Sequence, residues 1–270
     1  MQTTNKKVIV IGAGAAGMMA AGRAAELGAR VTLLEKNQRV GRKIMITGKG
    51  RCNLTNNCDV RAFIENVPVN PRFLYSAVNN FTPRDTIDFF EALGVELKTE
   101  RGNRVFPVSD RAADIVDALR GYVLDNGVKI VNDNALELIL ENGEAVGAKC
   151  EKESYYADAV IVCCGGKSYP LTGSTGDGYR LAAQAGHTVT EPKPSLVPLE
   201  SGDGDCKSMQ GLSLKNVGIK ITENQTGKTV YTRRRISRSF AQWQIRLWPD
   251  RAPQCCRRPC RSLLSGSSTL

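Results

Sequence analysis

The stretch KKVIVIGAGAAGMMAAGRAAELGARVTLLEK, residues 6–36, decides the fold of this chain. Its β-branched run at residues 8–11 is typical of a strand buried on both faces of a parallel sheet. A full G-x-G-x-x-G pattern follows at residues 12–17, and an alanine-rich, helix-forming segment then ends at a glycine. A second strand at residues 30–34 leads to Glu35. Together these signals predict one βαβ unit of the dinucleotide-binding type.

The glycines of this pattern have separate expected roles. Gly12 permits the tight turn, Gly14 lets the backbone approach a pyrophosphate, and Gly17 lets the helix pack against the strand. The start of the helix offers unpaired N–H groups and the positive end of its dipole to the anion. We therefore expect the ADP half of a dinucleotide to contact Gly12, Gly14, Ala15, Ala16 and Gly17.

Glu35 lies at the tip of the second predicted strand, where it is expected to accept hydrogen bonds from the adenosine ribose. A carboxylate at this point repels a 2′-phosphate, which favours FAD or NAD over NADP. The glycine pattern alone is common, and an ordinary α/β packing unit is the alternative. Dinucleotide binding is favoured because strand, glycines, helix, second strand and acid all occur in register.

The composition is that of an ordinary globular protein. A chain of 270 residues with 41% hydrophobic content suits one large domain or two smaller ones. No apolar run approaches the roughly 18 residues of a membrane helix, so we expect a cytoplasmic protein with no membrane partner. The nine cysteines show no C-x-x-C spacing. Neither a zinc site nor a disulfide framework is predicted, and free thiols are expected.

The formal net charge of +10 is concentrated near the end of the chain. Residues 233–270 hold nine arginines against one aspartate, so this segment carries eight of the ten net positive charges. A strongly basic surface would otherwise suggest nucleic acid as a partner. For the rest of the chain, we expect a small-molecule substrate and no specific nucleic acid. The oligomeric state is left open.

A glycine-rich basic segment, GRKIMITGKGRCN at residues 41–53, follows the predicted ribose-binding acid. Glycines allow a cofactor to approach the backbone closely, and arginines neutralise phosphate. A solvated basic loop is the alternative. The position of the segment favours contacts with the pyrophosphate, ribityl or flavin part of a cofactor, and the expected residues are Lys36, Arg42, Lys43, Thr47, Gly48, Arg51, Cys52 and Asn53.

Taken with further motifs, this segment resembles the BaiN-like flavoproteins, bacterial FAD-dependent oxidoreductases also described as YhiN-like or aminoacetone oxidase-like. The matching motifs are GAGAAG with Glu35, GRKIMITGKGRCNLTN, NRVFPVS at 103–109, GGKSYP at 165–170, GSTGDGY at 173–179 and PKPSLVP at 192–198. The resemblance covers about residues 6–232.

The resemblance implies FAD as cofactor, with NAD(P)H as a candidate electron donor. It also implies that the backbone near Ala135 meets the adenine and that Gly165 and Gly166 pass close to the dinucleotide. No residue is assigned a catalytic role, and no metal is expected. The implied fold class is α/β: a Rossmann-like FAD-binding domain with a parallel sheet and a β-meander, plus the start of a mainly β inserted domain.

Local signals place further elements. A capping box at residues 82–85 predicts a helix start, and Ser109 is expected to cap the next helix. Strands are predicted at 128–131, 136–140 and 145–150, which resemble the meander of such flavoproteins.

A further apolar run at residues 157–164 predicts a buried strand. It contains Cys163 and Cys164, which should point to opposite faces and serve as core residues rather than as a redox pair. The one histidine, His187, is expected to be structural, at a helix C-terminus.

The pattern predicts three regions. Residues 1–195 form the FAD-binding domain without the closing segment that the resemblance implies, 196–232 begin the inserted domain, and 233–270 form an aberrant, disordered tail. A reading-frame shift near Thr232 accounts for the arginine, cysteine and tryptophan enrichment of the tail; a basic nucleic-acid arm is the alternative. Without its closing elements the sheet should expose apolar surface, and a catalytically silent FAD-binding remnant is the main competing hypothesis.

Overall fold

The structure, a computed structural model, describes residues 5–193, 213–222 and 226–239, and of 213–221 and 230–239 it describes the backbone alone. Short 3₁₀ turns aside, its elements in chain order are β1 (Lys7–Ile11), α1 (Ala15–Glu26), β2 (Arg30–Glu35), α2 (Arg42–Ile46), β3 (Thr55–Asn56), α3 (Val60–Glu65), α4 (Tyr75–Asn80), α5 (Pro83–Ala92), β4 (Leu97–Glu100), β5 (Arg104–Pro107), α6 (Ala112–Asp125), β6 (Lys129–Asn132), β7 (Ala135–Glu141), β8 (Glu144–Cys150), β9 (Ser154–Tyr156), β10 (Ala159–Val162), α7 (Asp177–Gln184), β11 (Ser213–Thr222) and β12 (Thr229–Ser239).

The central element is a four-stranded parallel sheet with the order β10-β1-β2-β6. In β1, Val10 pairs with Leu33 of β2 and with Ile161 of β10. The βαβ unit predicted from the opening stretch is confirmed: β1, α1 and β2 follow one another with parallel pairing. Because the strands run parallel, their carboxyl ends meet at one edge, where ligands of doubly wound sheets bind.

The sheet separates two apolar clusters, because successive side chains of a strand point to opposite faces. Val10 and Leu33 join α1 and α6 on one face, where Met18 and Leu119 are almost fully buried. The other face holds Ile9, Ile11 and Leu34, packed against residues of β7, β8 and α7. The parallel sheet is therefore covered on both faces, as its β-branched strands require.

The β-meander consists of β7, β8 and β9, paired antiparallel. The expectation that residues 128–131 begin the meander is wrong, since β6 instead pairs parallel with β2, Ile130 lying opposite Leu33. A hairpin joins β7 to β8. Its turn residues Asn142 and Gly143 have φ of 51° and 84°, the left-handed conformation that a two-residue hairpin turn favours.

Strand β10 is more exposed than predicted. Ile161 and Val162 are each 37% exposed, so the prediction of a buried strand is wrong for these two residues. Among the described strands, β10 pairs only with β1 and forms the sheet edge, which leaves its outer side open. The prediction for Cys163 and Cys164 is confirmed: both are free thiols, Cys163 packs on the α1 side and Cys164 on the meander side.

Two helix starts test the capping signals. Helix α5 begins with the predicted box: the Asp85 N–H donates to the Thr82 hydroxyl, and the Thr82 N–H donates to the Asp85 carboxylate. The prediction that Ser109 caps α6 is wrong, because the cap residue is Arg111. The Ser109 hydroxyl instead donates to the Asp114 carboxylate, 2.5 Å away.

The chain divides into two compact units, residues 1–60 with 76–190, and 61–75 with 191–270. The second unit contains the antiparallel hairpin of β11 and β12. The expected loss of regular structure after Thr232 is wrong for residues 233–239, whose backbone pairs with β11; Ile236 lies opposite Val217. The rest of the predicted tail lies outside the described residues. None of the described helices combines the length and hydropathy that a membrane crossing demands.

Candidate functional site

The predicted dinucleotide crevice lies where β1, β2 and β10 end. The Gly12 N–H donates to the Leu34 carbonyl over 2.8 Å, and the Cys163 N–H donates to the Ile11 carbonyl over 2.8 Å. Gly12 has φ of +100°, and a Cβ there would lie 2.7 Å from the Cys163 carbonyl oxygen. Only glycine fits this tight turn, in agreement with the role expected of Gly12.

The other two glycines of the pattern have opposite surroundings. A Cβ on Gly17 would lie 1.7 Å from the carbonyl oxygen of Gly12, so α1 packs directly against the turn. A Cβ on Gly14 would meet nothing within 4 Å. Gly14 is the N-cap of α1 and provides no side-chain cap, and Ala15 and Ala16 beside it are exposed. The helix start is thus open to a ligand and offers it N–H groups.

Glu35 reaches this turn directly. Its carboxylate is largely buried, and its Oε2 accepts a hydrogen bond of 2.8 Å from the Ala13 N–H. Its Oε1 accepts two more from Asn37, 2.8 Å from the backbone N–H and 2.6 Å from the side-chain amide. The predicted ribose-binding acid is therefore held beside the glycine turn. Asn37 was not singled out in the sequence, where no motif marks it.

Lys36 and Lys43 bind a distant loop of the same unit. The Lys36 ammonium pairs with Asp177 at 2.6 Å and donates to the Thr175 hydroxyl at 2.8 Å. Lys43 donates to the buried Ser174 hydroxyl at 2.5 Å. Burial raises the pKa of Asp177, but the hydrogen bonds from Lys36 and Thr175 lower it, and the net shift of this pKa is downward. These contacts hold residues 173–177 against the segment that carries Glu35.

Replacing Lys36 with methionine should loosen residues 173–177, because the substitution removes the ion pair and keeps most of the apolar stem. A partly exposed pair contributes about 0.5–1 kcal/mol, so amide hydrogen exchange in this loop should rise about two- to fivefold. Acidification should have the same effect on the wild type: the lowered pKa of Asp177 means that the pair persists at neutral pH and is lost as pH falls through that value. Lys49→Met, at an exposed lysine of the basic segment, is the control, and equal exchange in the two variants would contradict this assignment.

Arg51 is engaged by two carboxylates. It is hydrogen bonded to Glu100 and, over 2.7 Å, to Asp110, and its guanidinium carbon lies 4.1 Å from the centre of the Phe106 ring. Hydrogen bonding to Arg51 lowers the pKa of Glu100, and hydrogen bonds from Lys98 and Arg51 lower that of Asp110. The predicted cofactor contact of Arg51 remains a prediction; its contacts here fix the basic segment onto β4 and the turn before α6.

A cavity of about 330 Å³ opens beside the start of α1. It brings together five predicted cofactor residues, Ala15, Ala16, Thr47, Cys52 and Asn53, and its other walls are Met19, Ile44, Leu54, Phe81, Thr86, Phe90, Ile115 and Leu119. Gly48 makes this segment fold back: its φ is +56°, and a Cβ would lie 2.7 Å from the Asn53 nitrogen. Burial raises the pKa of Cys52, so its thiol stays neutral and is a poor nucleophile.

The remaining predicted residues flank the crevice. Ala135 is buried at the start of β7, in the same apolar cluster as Leu34. Gly165 has φ of +72°, and a Cβ there would lie 3.0 Å from the Ser174 hydroxyl oxygen, whereas Gly166 faces the Tyr179 hydroxyl. Over the described side chains, no group of three histidine, cysteine, aspartate or glutamate residues could hold a metal ion.

Comparison with known proteins finds relatives that the chain matches over part of their length. The chain is 35% identical over 197 residues to the 3-dehydro-bile acid delta(4,6)-reductase of Clostridium scindens, covering 72% of this chain and 47% of that protein. It is 32% identical over 232 residues to the ribosomal RNA dihydrouridine synthase of Haemophilus influenzae, covering 83% of this chain and 55% of that one. The chain thus spans about half the length of these curated relatives.

Two solved structures resemble part of the chain at low sequence identity. One is the THI4 protein of Thermovibrio ammonificans, with a TM-score of 0.44 and 14% identity, covering 69% of this chain and 65% of that one. Another is the L-proline dehydrogenase of P. horikoshii, with a TM-score of 0.43 and 16% identity, covering 72% and 58%.

The family model described as the HI0933-like protein Rossmann domain matches residues 6–233, which include the glycine turn, Glu35, the basic segment and the loop at 173–177. This match confirms the resemblance found in the motifs, which covers nearly the same residues. The chain therefore belongs to the HI0933-like family of FAD-binding Rossmann proteins.

Proposed function

We propose that this chain binds FAD and acts as an FAD-dependent oxidoreductase on a small-molecule substrate. The observation that carries the proposal is that an uncrowded glycine, Gly14, and a hydrogen-bonded carboxylate, Glu35, lie at the same turn. Gly14 leaves space at the start of α1, and Glu35 lies against the same turn through its hydrogen bond from Ala13. An anion and a ribose next to each other are the two groups that the ADP half of FAD presents.

The residues present fit this cofactor at its ADP end. The N–H groups at the start of α1 would hold the pyrophosphate, and Glu35 would accept hydrogen bonds from the ribose. The cavity beside Ala15 and Asn53 is lined mainly by apolar side chains, so it would exclude water from a ring placed there. Bound FAD supplies the hydride chemistry, and the protein orients it and its substrate. The described residues give no group a catalytic role.

The electron donor that we propose is NADH or NADPH. The given sequence has one dinucleotide fingerprint, at residues 12–17, and we assign it to FAD rather than to the nicotinamide nucleotide. The substrate is not carried over from the relatives, because their names specify a bile acid in one protein and ribosomal RNA in the other. A small molecule, no specific nucleic acid and a cytoplasmic location remain our expectations.

The test is reconstitution of the purified chain with FAD. We expect visible flavin absorbance to remain with the protein after gel filtration, and to bleach when NADH or NADPH is added without oxygen. Glu35→Ala should weaken retention of FAD about tenfold or more, since a charge-assisted contact is lost. A chain that retains FAD but never bleaches would be the silent remnant instead. A folded chain that retains no FAD would overturn the proposal.

A further inference from the structure

We propose that Asn37 is a positioning residue: it aims the Glu35 carboxylate at the nucleotide ribose, and Arg42 acts on the ribose only through Asn37. This inference rests on the proposed function, because it concerns how that function's ribose contact is built. It adds a residue that the glycine fingerprint does not contain.

The geometry around Glu35 is that of a carboxylate fixed from three sides. Its Oε1 accepts the Asn37 backbone N–H at 2.8 Å and the Asn37 amide at 2.6 Å, and its Oε2 accepts the Ala13 N–H at 2.8 Å. An ionised carboxylate has about four lone-pair sites. Three are filled by the protein, so the side chain cannot rotate without losing a bond, and the free site remains on Oε2, the oxygen at the glycine turn.

Asn37 is itself held in place. Its Oδ1 accepts a hydrogen bond of 2.6 Å from the Arg42 guanidinium, which leaves its amide nitrogen directed at Glu35. On its other side, a Cβ on Gly173 would lie 2.6 Å from the same nitrogen, so the loop at 173–177 leaves the amide little room to turn. Arg42 was expected to contact the cofactor directly. In this arrangement its guanidinium instead donates to Asn37 and orients it.

An acid held in one orientation accepts a ribose hydroxyl without first being ordered, and this preorganisation is what the amide contributes. Removing the amide leaves the backbone N–H bond, so Glu35 should stay near the turn but rotate more freely. The loss should therefore fall on recognition of the ribose hydroxyls and spare the contact with the phosphates.

The experiment measures the affinity of the full chain for ADP and for 2′,3′-dideoxy-ADP by calorimetry. The ratio of the two dissociation constants reports the ribose contact, and partial unfolding of a variant affects both ligands alike. We expect the wild type to prefer ADP by at least tenfold, and Asn37→Ala to reduce that preference by about tenfold. If Asn37→Ala lowers solubility, Asn37→Ser can replace it. Serine also lacks the amide donor, so it should reduce the ADP preference in the same way.

Arg42 provides the second arm. Arg42→Ala should reduce the ADP preference about threefold, and the double variant should show no lower preference than Asn37→Ala alone. An arginine that instead contacts phosphate would lower both affinities equally and leave their ratio unchanged, which would overturn its assigned role. Asn56→Ala is the control, since Asn56 lies in β3 of a separate sheet and its amide donates to the Gly102 carbonyl in the turn between β4 and β5.

The outcomes separate this inference from the proposed function. If the wild-type chain binds no ADP, both are overturned. If ADP binds with the expected preference and Asn37→Ala keeps it, the positioning role alone is overturned.

Discussion

Gly14→Ala should abolish FAD binding and leave folding intact. Gly14 has φ of −81° and ψ of −171°, a conformation open to any residue, and its added Cβ would meet no protein atom within 4 Å. The cost to folding is therefore the small penalty of alanine at an N-cap, about 0.5–1 kcal/mol. The methyl group would occupy the space that the pyrophosphate needs, and losing two charge-assisted hydrogen bonds lowers affinity about 100-fold or more.

Thermal unfolding and FAD titration of the same preparation test this separation. We expect the melting temperature to move by a few degrees at most, while flavin no longer stays with the protein. If Gly14→Ala bound FAD as tightly as the wild type, no ligand would approach the backbone at Gly14. The proposed orientation of the cofactor would then be wrong.

Gly17→Ala should have the reverse effect and strongly destabilise the domain. Its Cβ would lie 1.7 Å from the Gly12 carbonyl oxygen and 2.9 Å from the carbonyl carbon, and both are backbone atoms of the turn. Neither can move aside as a flexible side chain would. Helix α1 must then shift away from β1 and disturb the buried contacts of Met18 and Ala21, at a cost above about 3 kcal/mol. For a domain with a total stability of about 5–15 kcal/mol, this is a large fraction.

Soluble yield and circular dichroism on heating measure the loss. The matched control is Gly121→Ala, another glycine within a helix, whose Cβ would meet nothing within 4 Å. Alanine is the better helix former by about 1 kcal/mol, so this control should be neutral or stabilising. If Gly17→Ala behaved like Gly121→Ala, the close packing of α1 on the glycine turn would be refuted.

The sequence predicted the parts of this site whose signals are local. Strand, glycine turn, helix and acid lie within residues 6–36, and the geometry of each follows from neighbours a few positions away. The partners of Lys36 and Lys43 were not predictable in this way, because they lie 141 and 131 residues further along the chain. A lysine next to a predicted ribose-binding acid suggests a phosphate contact, and only the tertiary fold shows that it forms an ion pair with Asp177.

The errors in the fold have the same origin. An apolar run does not reveal which strand it will pair with, so β6 was placed in the meander although it extends the parallel sheet. Nor does the run at β10 reveal that it lies at an edge, where burial is incomplete. In the second unit, β12 continues past Thr232 because β11 supplies the pairing that the local pattern lacks.

The division of Cys163 and Cys164 between two packing layers has a consequence for how the protein responds to oxidants. Burial raises the pKa of the Cys164 thiol to about 11, so at neutral pH it carries almost no thiolate. Two thiols that face away from each other, at least one of them protonated, form neither a disulfide nor a peroxide sensor with ease. We therefore expect this strand to hold no redox-active thiol pair.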